Sequence, residues 1–384
     1  MYNAPVTQSE VPSPAPAEAP LSPAPKPLRV TWVAGPRTLE EYGRILQPLA
    51  VGMLDELIEL TAVCPEKSDC SRLPSPPARL IRYGRPNWWA FWEATPGLDE
   101  LAAEVRRSGA NLVHALDVSA ARLAMRVALR ANVPCLVGCW GLRDHRALRR
   151  LESPPTGLVC ASELVREEMR RRRAPGARRL HLLQPGVHQV RHASCFTQPQ
   201  YRVTLVAGGR LDDLAAWRAV LGAFARVVAA KHDCAYFLMG IGKAEGALRL
   251  LSERLGLRSD LAFVDWQAHW QLEEILKAAD IYITPSPAEE VDVQCLLAMA
   301  AGVPVLAAGA GASDFLCDGQ TAAFFRAGDE EDLSAKLLRF LEDRAAARAL
   351  AENALAHLRE RHTPARMVAE LTKIYRAAGA ESAE

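Results

Sequence analysis

No stretch of this 384-residue sequence approaches the roughly 18 uncharged apolar residues that a membrane-spanning helix needs. Nor does the chain open on a charged segment followed by an apolar one, so no export signal is expected. Paired cysteine motifs are also missing. The nine cysteines are an odd number and scattered; Cys64 and Cys70 are separated by five residues, Cys135 and Cys139 by three, with no matching second pair. That pattern argues against a structural zinc site or a disulfide framework and predicts reduced thiols in a cytoplasmic setting. No Asp-x-Asp motif falls on a suitable strand end, so no metal is expected. What remains is 49% hydrophobic and 24% charged, an ordinary soluble composition.

The net charge of +1 hides an asymmetry. Residues 28–195 hold 25 Lys/Arg against 17 Asp/Glu, whereas residues 196–384 hold 20 against 26. A basic first half can favour an anionic partner, and peripheral contact with a membrane is one expectation; Arg-rich helices that simply solvate well are the alternative. The same two readings apply to the run Met169–Arg179. Trp88, Trp89, Phe91 and Trp92 could stack on a sugar, dip into a membrane interface or pack as a core corner. Positive charge alone gives no nucleic-acid signature.

Residues 1–27, mostly Pro, Ala, Ser and Glu, cannot bury enough apolar surface to offset their ordering and form a tail. Beyond them, short apolar strands alternate with helices of 10 or more residues. This predicts an α/β chain of two doubly wound, Rossmann-like domains, 28–195 and 196–365, with a C-terminal helix and tail over 366–384. Ligands in such folds sit at the carboxyl ends of the strands. In the second half those ends carry Gly208, Gly209 and Arg210; Gly240 and Gly242; Asp265 and Trp266; Ser286, Glu289 and Glu290; and Gly309 and Gly311. Glycine there lets a backbone approach a ligand closely, and the Arg210 guanidinium suits phosphate oxygens.

The segments "AGGRLDD", "MGIGKAEGALRLLSERLGLRSDLAFVDW", "ADIYITPSPAEE" with "LAMAAGVPVLA", and "GASDFLCDGQTAAFF" together resemble the retaining nucleotide-sugar glycosyltransferases of family 4, which have the GT-B fold. The resemblance covers roughly residues 200–345 well and the first half loosely. It implies a nucleotide-diphosphate sugar as donor, no other cofactor, and a saccharide, lipid or small-molecule acceptor. It places Glu289 toward the donor sugar, Arg210 and the glycine amides on the diphosphate, Asp265 and Trp266 near the base, and leaves His114 as a catalytic candidate, with His145 as an alternative.

The sequence departs from that family at several positions. Leu297 stands where a ribose-binding glutamate is expected, and Val291 and Asp292 replace an aromatic-glycine pair. Ala215 and Ala216 stand where a phosphate-binding lysine is expected, leaving Arg218 as the nearest cation. Trp140 replaces a histidine, and Pro36 removes a donor from the first glycine-rich loop. Glu290 and Asp292 are read as favouring the dipole of the helix they open, and Val293, Leu296, Leu297 and Ala300 as its core stripe. Two readings follow: a divergent glycosyltransferase, or a catalytically silent GT-B domain serving as a binding or assembly partner.

Overall fold

The computed structural model describes residues 27–66, 68, 70, 79–84, 97–197, 202–264 and 269–380. It contains two parallel sheets, each flanked by helices. The first is built from Leu28–Val33 (β1), Ile58–Pro65 (β2), Arg79–Tyr83 (β3), Leu112–Ala115 (β4), Cys135–Cys139 (β5), Gly157–Cys160 (β6) and Leu180–Leu182 (β7), in the order β3-β2-β1-β4-β5-β6-β7. The second uses Val203–Gly208 (β8), Cys234–Met239 (β9), Leu261–Val264 (β10), Ile281–Thr284 (β11), Val305–Ala307 (β12) and Ala323–Phe324 (β13), in the order β10-β9-β8-β11-β12-β13. The strand order reverses between β1 and β4 in one sheet and between β8 and β11 in the other. Those switch points open the crevices in which such sheets hold ligands.

Burial explains the strands. β5, β6 and β11 are buried along their whole length, as parallel strands covered on both faces must be. One apolar cluster runs from β1, β2 and β4 through the last helix to β11 and the helix Val293–Ala300 (α9). Another lies on the opposite face of the second sheet, under Leu214–Ala229 (α6) and Glu330–Glu342 (α10). No helix of the described residues is long and apolar enough to cross a membrane.

Three local outcomes differ from the sequence pattern. Gly43 and Pro48 do not break the first helix, Pro36–Asp55 (α1), which continues through Pro48 because Ile45, Leu46, Leu49 and Met53 are all buried. The segment after β12 forms turns rather than a helix, with Gly309 and Gly311 at positive φ. β13 is only two residues long, too short for a strand pattern to announce it.

The chain's final helix, Pro364–Ala380 (α12), returns to the first sheet. It crosses α1 at Gly52, where an added Cβ would lie 2.3 Å from Val368 Cγ2. Farther along, the Tyr375 hydroxyl accepts the Trp32 indole N–H at 2.7 Å and lies 2.6 Å from His114 Nδ1. A second close approach holds the middle of the first sheet. A Cβ on Gly138 of β5 would stand 2.3 Å from the Leu116 carbonyl oxygen, which also accepts the Trp140 indole N–H at 2.9 Å. Gly138→Ala is therefore expected to lower stability by about 1–3 kcal/mol, read as a lower urea midpoint at unchanged slope. An unchanged midpoint would mean that Leu116 yields freely.

Candidate functional site

The two domains meet where the carboxyl ends of β5 and β11 face each other. The segment that follows β5 pairs with the loop before α9 through an antiparallel bridge, Gly141 with Glu290. Leu142 N–H donates to the Glu289 carbonyl and Val291 N–H to the Trp140 carbonyl, both at 2.8 Å. Side chains reinforce this seam: Arg143 pairs with Glu289, and the Tyr42 hydroxyl donates to Glu290 Oε2 at 2.9 Å. Lower down, Ser162 Oγ donates to the Ala312 carbonyl at 2.6 Å, and Asp314 Oδ2 accepts Glu163 N–H at 2.7 Å. The last contact sets a carboxylate of the second domain at the N-terminus of Glu163–Arg171 (α5), where the helix dipole favours it.

A small cavity lies at the first sheet's switch point, lined by Glu41, Tyr42, Asp117, Ser119, Trp140, Asp144 and Glu290 among others. Its volume of about 30 Å³ suits ordered water and not a sugar. The Tyr42 and Trp140 rings stack directly on each other in its wall, centroids 3.9 Å apart and 13° from parallel. Asp144 Oδ2 accepts two backbone N–H groups, from Trp140 at 2.8 Å and Gly141 at 2.9 Å. Burial, with Glu290 and Asp117 nearby, nevertheless pushes the Asp144 carboxyl up to about 7. Burial, and then Glu290, also hold the Tyr42 phenol well above its usual range. Asp117 accepts the Thr38 hydroxyl and the N–H groups of Ser119 and Ala120.

Along the second sheet's edge, Arg210 follows Gly209, whose φ is +146°. Its guanidinium is exposed and already paired with Asp212 Oδ2, through Nε at 2.9 Å and Nη2 at 2.8 Å. Asp212 also accepts Lys243 N–H at 3.2 Å, and this hydrogen bond, followed by the one from Arg210, holds its carboxyl below the ordinary range. Gly240 and Gly242 approach the chain's own backbone: an added Cβ would lie 2.1 Å from the Gly209 oxygen and 2.3 Å from the Leu211 carbonyl carbon. Their first use is thus to pack the loop after β9 under the loop after β8. Gly311 does the same beneath Ala288, with an added Cβ 2.2 Å from its oxygen, and so props the loop that carries Ser286, Glu289 and Glu290.

Several expectations change. Glu290 does not cap α9; it reaches across the seam, and Asp292 is the cap, accepting Cys295 N–H at 2.9 Å and the Thr284 hydroxyl at 3.1 Å. Leu297 is only half-buried, the least covered member of the expected core stripe. His114 is not brought to the cleft. It is 3% exposed under α12, and burial lowers its imidazole to about 3. His145 is also buried, with Nδ1 3.1 Å from the Leu142 carbonyl. Arg218 lines an outer groove with Gly222, Leu251 and Glu330. Asp265, Trp266 and the aromatic run Trp88–Trp92 lie outside the described residues.

Sequence reasoning missed Tyr42, Asp117, Asp144, Arg143 and Lys243. Only Lys243 carried a local signal, as the cation closing "GIGK"; the others come together through long-range packing. Among the described residues no group of three His, Cys, Asp or Glu side chains is placed to hold a metal ion.

Residues 202–343 match the family Glycosyl transferases group 1. Among curated proteins, the chain is 28% identical over 192 residues to a D-inositol 3-phosphate glycosyltransferase of Rhodococcus opacus, covering 48% of this chain and 43% of that protein. It is 28% identical over 110 residues to a 2-deoxystreptamine glucosyltransferase of Streptomyces kanamyceticus, covering 29% and 28%. The matches thus span less than half the length of these relatives. Among solved structures, Anabaena HepE in complex with UDP and glucose superposes with a TM-score of 0.74 at 13% identity, over 91% of this chain and 100% of that one. A sucrose-phosphate synthase from Thermosynechococcus elongatus superposes with a TM-score of 0.70 at 16% identity, over 92% and 100%. The chain as a whole therefore has the fold of the GT-B glycosyltransferases, and its residues 202–343 are similar to the group 1 family.

Proposed function

We propose that the chain transfers a sugar, with retention, from a nucleotide-diphosphate donor to a polyol acceptor that carries no phosphate. The observation behind this reading is the seam, where the loop after β11 delivers Glu289 and Glu290 opposite the first sheet's switch point. The donor would lie along the ends of β8, β9 and β11. There Arg210 and Lys243 would neutralise the leaving diphosphate, Gly209, Ser286 and Gly311 would shape its bed, and Glu289 would orient the sugar. Lys243 then supplies the cation that Ala215 and Ala216 lack. In this reading the seam parts for the acceptor, because the cavity of about 30 Å³ beside it has room only for water.

The acceptor's chemistry follows from the walls on the first domain's side. Among the described residues, Glu41, Asp117, Asp144 and Glu290 line that cavity without a lysine or arginine. The two buried carboxyl groups, Asp117 and Asp144, disfavour a phosphorylated acceptor and suit a neutral or amine-bearing ring beside the Tyr42–Trp140 stack. The test measures nucleotide release from UDP-, GDP- and ADP-glucose with an aminocyclitol or an inositol phosphate as acceptor. The aminocyclitol is expected to react at least about tenfold faster, about 1.4 kcal/mol of preference. Preference for the inositol phosphate would contradict the acceptor assignment.

One observation favours the second reading, a silent binding domain. The amide of Val291, which stands in place of the first residue of the family's aromatic-glycine pair, is bonded to the Trp140 carbonyl and not directed at a ligand. Transfer or donor hydrolysis under any of these conditions removes that reading.

A further inference from the structure

The first domain gathers more positive charge than its own described carboxylates pair with. Between residues 112 and 182 there are fourteen arginines, no lysine and six carboxylates. Two of the six, Asp117 and Asp144, are buried. The other four are taken: Glu152 pairs with Arg126, Glu163 with Arg166, Glu167 with Arg170, and Glu168 with Arg171 and Arg172. Arg146, Arg149, Arg150 and Arg173 are exposed and have no carboxylate partner among the described residues.

Packing brings these arginines onto one face. Arg122 of Ala121–Ala131 (α3) donates to the Arg150 carbonyl at 3.4 Å, tying α3 to the end of the short helix His145–Leu148 (α4). Arg149 donates to the Arg172 carbonyl at 3.0 Å, tying α4 to the end of α5. Cations are thus held beside cations, an arrangement that repels itself unless an outside anion joins it. Leu129 stands on the same stripe of α3, seven residues after Arg122, and is 74% exposed.

We propose that this α3–α4–α5 face docks on an anionic lipid bilayer. Guanidinium forks take lipid phosphates in bidentate pairs, which suits a patch whose cations are all arginines. Leu129 adds an apolar contact that a soluble polyanion would not use. The inference is independent of the chemistry in the cleft.

The full chain is sedimented with phosphatidylcholine vesicles and with vesicles rich in phosphatidylglycerol, at low and high salt. Binding is expected to the anionic vesicles alone, with release at high salt. The variant Arg146→Gln/Arg150→Gln/Arg173→Gln should bind about a hundredfold more weakly, at roughly fivefold per arginine, with an unchanged urea midpoint. Should that variant fail to fold, Arg146→Gln alone should show a loss of about fivefold. Leu129→Ala should weaken vesicle binding without changing binding to soluble polyphosphate. No binding to anionic vesicles, equal binding to neutral ones, binding to polyphosphate alone, or neutralised variants that bind like the parent would overturn the proposal.

Discussion

Glu289→Ala is expected to lower sugar transfer by about 10²–10³-fold, the usual loss when one group aimed at the reacting centre is removed. Nucleotide affinity should change little, because the carboxylate sits on the sugar side of the diphosphate in the proposed arrangement. Structurally the residue is well placed for this. It is exposed at the seam, held at its backbone by Leu142 N–H and at its side chain by Arg143. An exposed pair of this kind contributes about 0–1 kcal/mol to stability, so a large loss of activity could not be assigned to misfolding. Arg143→Ala is the control. It removes the same ion pair, leaves the carboxylate, and should cost less than about tenfold. Equal losses in the two variants would show that the ion pair matters and not the carboxylate on the sugar.

Asp144→Asn should stabilise the chain in mildly alkaline solution. Burial raises the Asp144 carboxyl to about 7 in the folded chain, against an ordinary value near 3.8. Between those values the folded state holds a proton that the unfolded state has lost. Stability therefore falls as pH rises through that window, by up to about 4 kcal/mol, and levels off above it. Asparagine keeps the seam intact, because the N–H groups of Trp140 and Gly141 both bond to one oxygen, Oδ2. The amide cannot ionise beside Glu290 and Asp117. The variant should match its parent near about pH 4 and exceed it near about pH 8, read from urea midpoints. A parallel pair of pH profiles would show that Asp144 is ionised in the fold throughout.

The fold was legible because each buried strand is a short apolar run and each helix is long enough to count. The order of the strand-end loops around the second sheet added the rest. The candidate site was legible only in part. Glu289, Glu290 and Arg210 lie in local motifs, and the structure sets the two glutamates at the seam. Of the two acids read as opening α9, Asp292 is its cap, whereas Glu290 turns to Tyr42, 248 positions away in sequence. Gly240, Gly242 and Gly311 looked like ligand-facing glycines, yet the atoms nearest their missing Cβ belong to the chain itself, and a pattern of residue types cannot say whose atom approaches. His114 carried the right residue type after the right kind of strand. Its placement under Tyr375 depends on a helix that returns from the far end of the chain.

The seam gives the molecule its central physical feature. Backbone pairing of Gly141 with Glu290, the Tyr42–Glu290 hydrogen bond and the Arg143–Glu289 pair together join the two domains. In the proposed arrangement the donor's diphosphate draws the exposed Arg210 guanidinium away from Asp212. Direct titration of the chain with UDP-, GDP- and ADP-glucose in a calorimeter, beside Arg210→Ala and Lys243→Ala, tests this most directly. At least one donor should give saturable heat, weakened about tenfold or more in either variant, as expected for a lost charge-assisted hydrogen bond. The absence of heat from all three donors at concentrations on the order of millimolar, or binding that ignores both substitutions, would contradict a nucleotide-sugar site on the second sheet.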